Sequence, residues 1–381
     1  MLPIARAKRL KILVVRYRFI GDTILTVPFL KALRALYPDA QIDMLVGPQS
    51  GEILAHCPYI DRLLFYDTTR KHRYENQANV AEPRSFWSYV SELQEEGYQK
   101  AYVLKRSFSS ALLAKLANIP ERIGFDTEWR GWLLTKSVPY RKDGHESDCF
   151  LDLLRAETET SAELAKVLVF SPEHFGFRMQ DWPGFEGVPE VSTAEVSPLG
   201  AMSTEQNLRV KHVVLHLSSS NSAKEWSDDK ATALARDLLN RYPLVLHFVG
   251  AASDRLRYEK LVSRLLEDLP ESVIHRTWFY NWCGQTTLQQ SLRVLARMDL
   301  VVGVDSGTMH MAAAVGTPTV VLFGPMDERK WRPLGPHVQV LVADTDCHPC
   351  NLKTPCRHQY QCMTDLSIET VARACQTILN P

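Results

Sequence analysis

The sequence predicts an α/β protein built from two open parallel sheets, one in each half of the chain. Three observations predict it. Short runs of β-branched and aliphatic residues alternate with amphipathic stretches of helical length through residues 11–156, the order that builds a parallel sheet with helices on both faces. The segment Trp182–Gln206, rich in proline and glycine, then interrupts the pattern, as a linker does. The alternation restarts at Val213 and runs to Ala343. Length agrees: 381 residues, at roughly 100–200 per domain, make two domains.

In the first half, Lys11–Tyr17, Gln41–Gly47, Arg62–Asp67 and Ala101–Lys105 have the length and content of buried strands. Helical stretches cover Ile24–Leu36, Ser85–Glu96 and Ser107–Ala117, with another at His145–Ala156. Pro28 lies inside the first of these and is expected to kink it or shift its start. Thr68–Pro83 is polar and basic and reads as a loop. In the second half the strands are Val213–Ser218, Val245–Gly250, Leu300–Asp305, Thr319–Phe323 and Val338–Ala343. Helices are expected at Asp228–Tyr242, Asp254–Asp268, Leu288–Met298, Gly307–Val315 and Leu366–Ile378. The expected boundaries are 1–190, 205–365 and a terminal helix in 366–381. Two such halves predict a central cleft where strand C-termini face a ligand.

Composition narrows the partners. Lys+Arg 44 balance Asp+Glu 44, so no protein-wide field draws nucleic acid or an anionic membrane, and nucleic acid is not an expected partner. No apolar run approaches the roughly 18–20 residues of a membrane span. Arg6, Lys8, Arg9 and Lys11 interrupt any signal-peptide core. A cytoplasmic location is therefore expected. The chain lacks GxGxxG, Walker A, HExxH and GxSxG patterns, which weakens dehydrogenase, P-loop, zinc-peptidase and α/β-hydrolase readings.

Three strand-to-helix junctions carry chemistry. Val301–Val304 runs into Asp305-Ser306-Gly307-Thr308-Met309-His310 and an alanine-rich helix. Free amides at a helix start suit a phosphate, and His310 shares the first-turn face with Ser306. The plain alternative is that Asp305 caps the helix and His310 packs inside. The second junction, Ser218-Ser219-Ser220 through Lys224-Glu225-Trp226, offers hydroxyls, amides and an ammonium for a diphosphate, or is an ordinary loop. In the third, a glycine turn places Asp22 at the head of a helix, where a carboxylate can act as general base on an alcohol or simply cap the helix.

Eight cysteines divide into two groups. Cys57, Cys149, Cys283 and Cys375 are scattered and read as buried apolar residues. Cys347, Cys350, Cys356 and Cys362 cluster with spacing that admits a four-thiolate structural zinc, although the second pair lacks the short CxxC knuckle.

Gly21-Asp22-Thr23-Ile24-Leu25-Thr26-Val27-Pro28, Lys224-Glu225-Trp226, the Asp305–His310 run with Ala312-Ala313, and Phe323-Gly324-Pro325 together resemble glycosyltransferase family 9, the ADP-heptose:lipopolysaccharide heptosyltransferases. The resemblance spans Lys11 to Cys375, with the motifs in order. It implies a GT-B fold, two Rossmann-like domains with parallel sheets facing a central cleft. The first would hold the acceptor and the second the nucleotide-sugar, with the terminal helix crossing back to the first domain. It also implies an inverting, metal-independent transfer that requires no cofactor. By position, Asp22 is the implied base. Ser218, Ser219, Ser220 and Lys224 would hold the diphosphate, and Asp305, Ser306, Gly307 and His310 would meet the phosphates and donor sugar.

Acceptors of that family are phosphorylated, lipid-linked sugars, so Arg16, Arg18, Lys105, Arg106 and the Arg70–Arg73 loop become acceptor-side candidates. The basic run Arg6–Arg18 suits an anionic membrane face. Asn281, Gly284 and Thr286 are where nucleotide-base selectivity is expected. The rival readings are the same family with another sugar or acceptor, a nucleotide-sugar epimerase, and a non-catalytic nucleotide-sugar binding module.

Overall fold

A computed structural model describes residues 9–17, 19–68, 84–158, 172–175 and 210–380. The chain divides into two compact units. One is Met1–Val169 with Glu173–Phe177, the other Phe170–Pro172 with Arg178–Pro381. Arg18, the Arg70–Arg73 loop and the Trp182–Gln206 linker lie outside the described residues.

The first unit holds β1 (Lys11–Val15), β2 (Gln41–Val46), β3 (Arg62–Phe65), β4 (Lys100–Val103), β5 (Glu121–Phe125) and β6 (Lys136–Val138). The second holds β7 (Lys211–His216), β8 (Leu244–Phe248), β9 (Thr277–Asn281), β10 (Leu300–Val304), β11 (Thr319–Phe323) and β12 (Val338–Val342). Their orders are β3-β2-β1-β4-β5-β6 and β12-β11-β10-β7-β8-β9, all pairings parallel. Both sheets therefore share one plan. The chain starts in mid-sheet, winds outward over two strands, then crosses to the other side of its first strand. That reversal creates a switch point between β1 and β4, and another between β7 and β10. Crevices for ligands open at the carboxyl ends of strands flanking such points.

Burial explains which strands the pattern revealed. Ile12 to Val15 of β1 and Leu300 to Val304 of β10 are buried on both faces, and continuous aliphatic runs are the mark of such strands. β5, β6 and β9 were not expected. The first two mix exposed charged or polar residues with a few buried ones, and β9 is a half-buried edge strand of sequence TWFYN. Gly303 in β10 is needed for close packing. A Cβ there would sit 2.4 Å from the His216 carbonyl oxygen of β7.

The first helical stretch is broken into Ile20–Ile24 and Val27–Leu36, with Pro28 in the opening turn of the second. Proline fits there because first-turn amides need no partner within the helix. The terminal helix, Ile368–Leu379, packs on the Asp228–Arg241 helix of the second unit. Val371, Ala372, Ala374, Cys375 and Leu379 join the second unit's core. The Trp226 indole N–H donates to the Leu366 carbonyl at 3.2 Å. An amphipathic helix goes where its apolar stripe is covered, and that cover is here.

Buried histidines set an acid limit on the fold. The Trp282 indole N–H donates to His247 Nδ1 at 3.0 Å, and His247 Nε2 lies 3.0 Å from His212 Nδ1. An indole only donates, so His247 accepts at Nδ1 and carries its proton on Nε2. Burial, then the neighbouring His212, push its pKa down to about 3. Burial, then the Lys31 ammonium, lower His174 to about 4, and burial lowers His216. The unfolded chain binds these protons near pH 6.5 and the folded chain refuses them. Stability is thus full above that pH and is lost as pH falls from about 6.5 towards about 3, by up to about 1.4 kcal/mol per pH unit for each histidine. Urea unfolding midpoints between pH 7.5 and 4.5 should fall, and His247→Phe should flatten the slope. An unchanged midpoint contradicts neutral burial.

Candidate active site at two switch points

The first cluster forms at the carboxyl end of β1. Arg16 follows that strand directly, its amide donating to the Leu45 carbonyl at 3.0 Å, and it is buried. Asp22 lies in the first turn of Ile20–Ile24, whose N-cap is Phe19. It is therefore not a cap. Its Oδ2 meets Arg16 Nη2 at 2.7 Å. Behind Arg16 stands Glu146, in the first turn of the Glu146–Arg155 helix. Glu146 Oε1 is 3.9 Å from Arg16 Nη2 and 3.7 Å from Arg106 Nη2. The Tyr140 hydroxyl donates to Glu146, and the Arg106 guanidinium stacks over the Tyr140 ring at 4.1 Å. Two acids and two arginines balance in charge, which makes their burial tolerable.

Exposure separates the two acids. The Glu146 side chain is 0% exposed and that of Asp22 19%. Of the two, only Asp22 is open to solvent, with Oδ2 held on Arg16. The Arg16 side chain is 4% exposed and lies between the two carboxylates. Arg106, 31% exposed, and Lys105, which follows β4 and donates its amide to the Val15 carbonyl at 3.0 Å, stay at the site's edge.

The second cluster forms where β7 and β10 end. Lys224 Nζ and Asp305 Oδ2 are 3.0 Å apart, with side chains 15% and 10% exposed. The Ser219 hydroxyl donates to the Asp305 carbonyl at 3.2 Å, tying the two loops together. The Ser219 amide donates to Glu225 Oε1 at 3.1 Å, and Arg257 Nη1 donates to Glu225 Oε2 at 2.9 Å. Glu225 and Arg257 thus brace the loop that carries Lys224. Trp226, the third residue of that motif, is buried in the core. Ser220 is exposed, while Ser218 and Ser219 are half-buried.

Asp305 does not cap the next helix. Ser306 does by position, and its side chain makes no capping hydrogen bond. Its Oγ is buried and has no hydrogen-bond partner among the described residues. Gly307 opens the Gly307–Ala314 helix, and His310 is buried on its first turn. Uncapped first-turn amides, the Ser306 hydroxyl and the Lys224 ammonium thus gather at the carboxyl ends of β7 and β10, groups of the kind that can hold a phosphate.

Asn281, Gly284 and Thr286 shape the turn after β9. Asn281 is tied to the Arg255 carbonyl and the Cys283 amide, both at 3.2 Å. Gly284 has φ +69°, and a Cβ there would meet the Ala252 Cβ at 2.6 Å. Thr286 Oγ1 pairs with Ser291 Oγ at 2.8 Å.

All eight cysteines are free thiols, and Cys57, Cys149, Cys283 and Cys375 are buried as expected. Burial, then the nearby Cys347, Cys350 and Cys356, push the Cys362 thiol up to about 11. The four are thus neighbours. Among the described residues, however, no three His, Cys, Asp or Glu side chains are arranged to hold a metal ion.

Glu146, Tyr140, Glu225 and Arg257 were missed as site residues. Glu146 meets Arg16 and Arg106, and Arg257 meets Glu225, from far along the chain, while Tyr140 and Glu225 also pair with near neighbours Glu146 and Ser219.

Comparison with known proteins agrees with this geometry. The family model for glycosyltransferase family 9 (heptosyltransferase) matches residues 86–361. Lipopolysaccharide heptosyltransferase 2 of Salmonella typhimurium is 25% identical over 379 residues, covering 97% of this chain and 99% of the relative. The structure of Escherichia coli ADP-heptose lps heptosyltransferase II has a TM-score of 0.67 at 22% identity, covering 97% of this chain and 98% of that one. The glycosyl transferase family 9 structure from Veillonella parvula has a TM-score of 0.72 at 20% identity, covering 98% and 99%. The fold is GT-B.

Proposed function

Because the chain belongs to glycosyltransferase family 9, we propose that it transfers heptose from ADP-heptose to a lipopolysaccharide-core acceptor, with inversion at the anomeric carbon. The observation that carries the reading is the single reachable carboxylate of the first switch point, Asp22, held on buried Arg16. The acceptor hydroxyl loses its proton to Asp22 as its oxygen attacks the anomeric carbon. The bond to the diphosphate breaks on the opposite face, and the departing charge is taken by Lys224 and the amides at the Gly307 helix start. An ammonium keeps two further donors when one is spent on Asp305. A carboxylate repels phosphate, so Asp305 steers Lys224 and offers its free valence to sugar hydroxyls. Positive charge from lysine and amides serves the leaving group without a divalent ion.

The acceptor side of the proposal rests on Arg106 and Lys105, whose cations suit a phosphorylated sugar. Among the described residues no helix is long and apolar enough to cross a membrane. We place the enzyme in the cytoplasm, peripheral at the inner membrane face, on the strength of the basic run Arg6–Arg18. The epimerase reading is not favoured, because the matched family is one of heptosyltransferases.

A panel of nucleotide-sugars in thermal unfolding tests the donor. ADP-heptose at about a hundred times its Kd should add about 2.7 kcal/mol of stability, and UDP-sugars little. Preferential stabilisation by a UDP-sugar would move the protein to another donor class.

A further inference from the structure

The segment after β5 carries an exposed aromatic platform that transfer chemistry does not use. Trp129 is 94% exposed, Trp132 65% and Phe108 39%. Trp132 and Phe108 adjoin, with ring centroids 6.2 Å apart. Large aromatic side chains are ordinarily covered, because their surface is costly to leave in water. Here the backbone holds them out. Glu128 and Trp129 have φ of +52° and +57°, a left-handed conformation that L side chains disfavour and that persists only where the surroundings impose it.

Arg130 imposes it. Its side chain is wholly buried, and its guanidinium donates to the Phe125 carbonyl at 2.9 Å, the Ser107 carbonyl at 3.1 Å, Ser110 Oγ at 3.2 Å and the Lys105 carbonyl. Glu128 Oε2 accepts from the Phe108 amide at 2.9 Å, locking the turn to the start of the Phe108–Leu116 helix. Gly131 admits the close return, since a Cβ there would lie 2.9 Å from Asp126 Oδ1. A buried cation with several partners thus fixes two tryptophans outward on a rigid turn.

Charge identifies the occupant. The Lys115 ammonium lies 4.4 Å over the Trp132 ring, and Lys105 and Arg106 follow β4, whose carboxyl end adjoins that of β5. Indole rings favour the boundary between headgroups and acyl chains, and neighbouring lysine and arginine favour anionic headgroups. We propose that Trp129, Trp132 and Phe108, with Lys115, form an interfacial anchor that seats the first unit on an anionic lipid bilayer. The proposal deepens the reading of a lipid-linked acceptor and rests on it for its biological sense. Phe108 and Trp129 follow the carboxyl ends of β4 and β5, the end of the sheet from which Asp22 and Arg106 also emerge, and an acceptor still embedded in its leaflet would be presented there.

Flotation of the full chain with vesicles of phosphatidylethanolamine and phosphatidylglycerol tests it. The wild-type chain should float, and W129A/W132A should partition about tenfold or more weakly. W129F/W132F should retain most of the binding, and K115Q should weaken it on anionic vesicles alone. Circular dichroism checks that each variant is folded. Turnover of a delipidated, water-soluble acceptor should be unchanged in W129A/W132A. A wild-type chain that does not float, or a double alanine variant that floats equally well, overturns the anchor. If the wild type floats but turns over no acceptor, the transferase reading fails and the anchor stands.

Discussion

Asp22→Asn should lower turnover by about 10²–10⁴-fold, the usual consequence of losing a positioned general base, while donor affinity stays within about twofold. The split follows from where Asp22 sits. It belongs to the first unit and pairs with Arg16, whereas the donor residues Lys224, Ser306 and Gly307 belong to the second. The fold should survive the change, because Glu146 remains beside Arg16 to balance its buried charge. Asparagine keeps the shape of the side chain and removes only its basicity. Steady-state turnover with calorimetric ADP titration reads both quantities. Equal loss of rate and donor affinity would make Asp22 a structural residue and end the proposed mechanism.

Lys224→Met should be the other severe variant, with kcat/KM down about 10²–10³-fold, the range for removing one charge-stabilising donor from a transition state. Thermal protection by ADP should weaken with it. The variant also carries a stability cost. Lys224 and Asp305 are 15% and 10% exposed, so methionine leaves a nearly buried carboxylate without its cation, at a cost of about 1–3 kcal/mol. Adding Asp305→Asn to Lys224→Met removes that orphaned charge. The double variant should regain most of the stability and none of the turnover. If the double variant recovers activity with stability, Lys224 serves the fold alone.

The tests above separate two kinds of residue that look alike in sequence. Asp22 and Asp305 both precede or open helices, and both could have been caps. Neither is. Asp22 lies in a first turn capped by Phe19, and Asp305 lies one residue before Ser306. A cap is a local device, satisfied within three residues, so a sequence reading weighs it fairly. What displaced it in both cases was a cation, Arg16 close by in the chain for Asp22 and Lys224 from far along it for Asp305. Lys224 lies 81 residues from Asp305, and the Glu146 that backs Arg16 lies beyond the intervening strands β2 to β6.

Legibility of the sheets followed the same line. β1 and β10 are covered on both faces and so spell out aliphatic runs. Edge and near-edge strands β5, β6 and β9 are half wet, and their charged, polar or aromatic residues look like loop. The terminal helix was read correctly as a helix, and its apolar stripe is covered by the Asp228–Arg241 helix of its own unit.

By itself the sequence determined the two α/β halves, the strand-to-helix junctions, and the break at Pro28. All of these depend on interactions within a few residues, or on a burial pattern printed along one strand. Only the tertiary structure decided the strand order that makes β1/β4 and β7/β10 switch points. It alone also decided the pairing of Arg16 with Asp22, and the outward hold on Trp129 by buried Arg130. Each depends on groups brought together from distant positions in the chain. Their energies come from burial and charge pairing in space, which no short window of residues encodes.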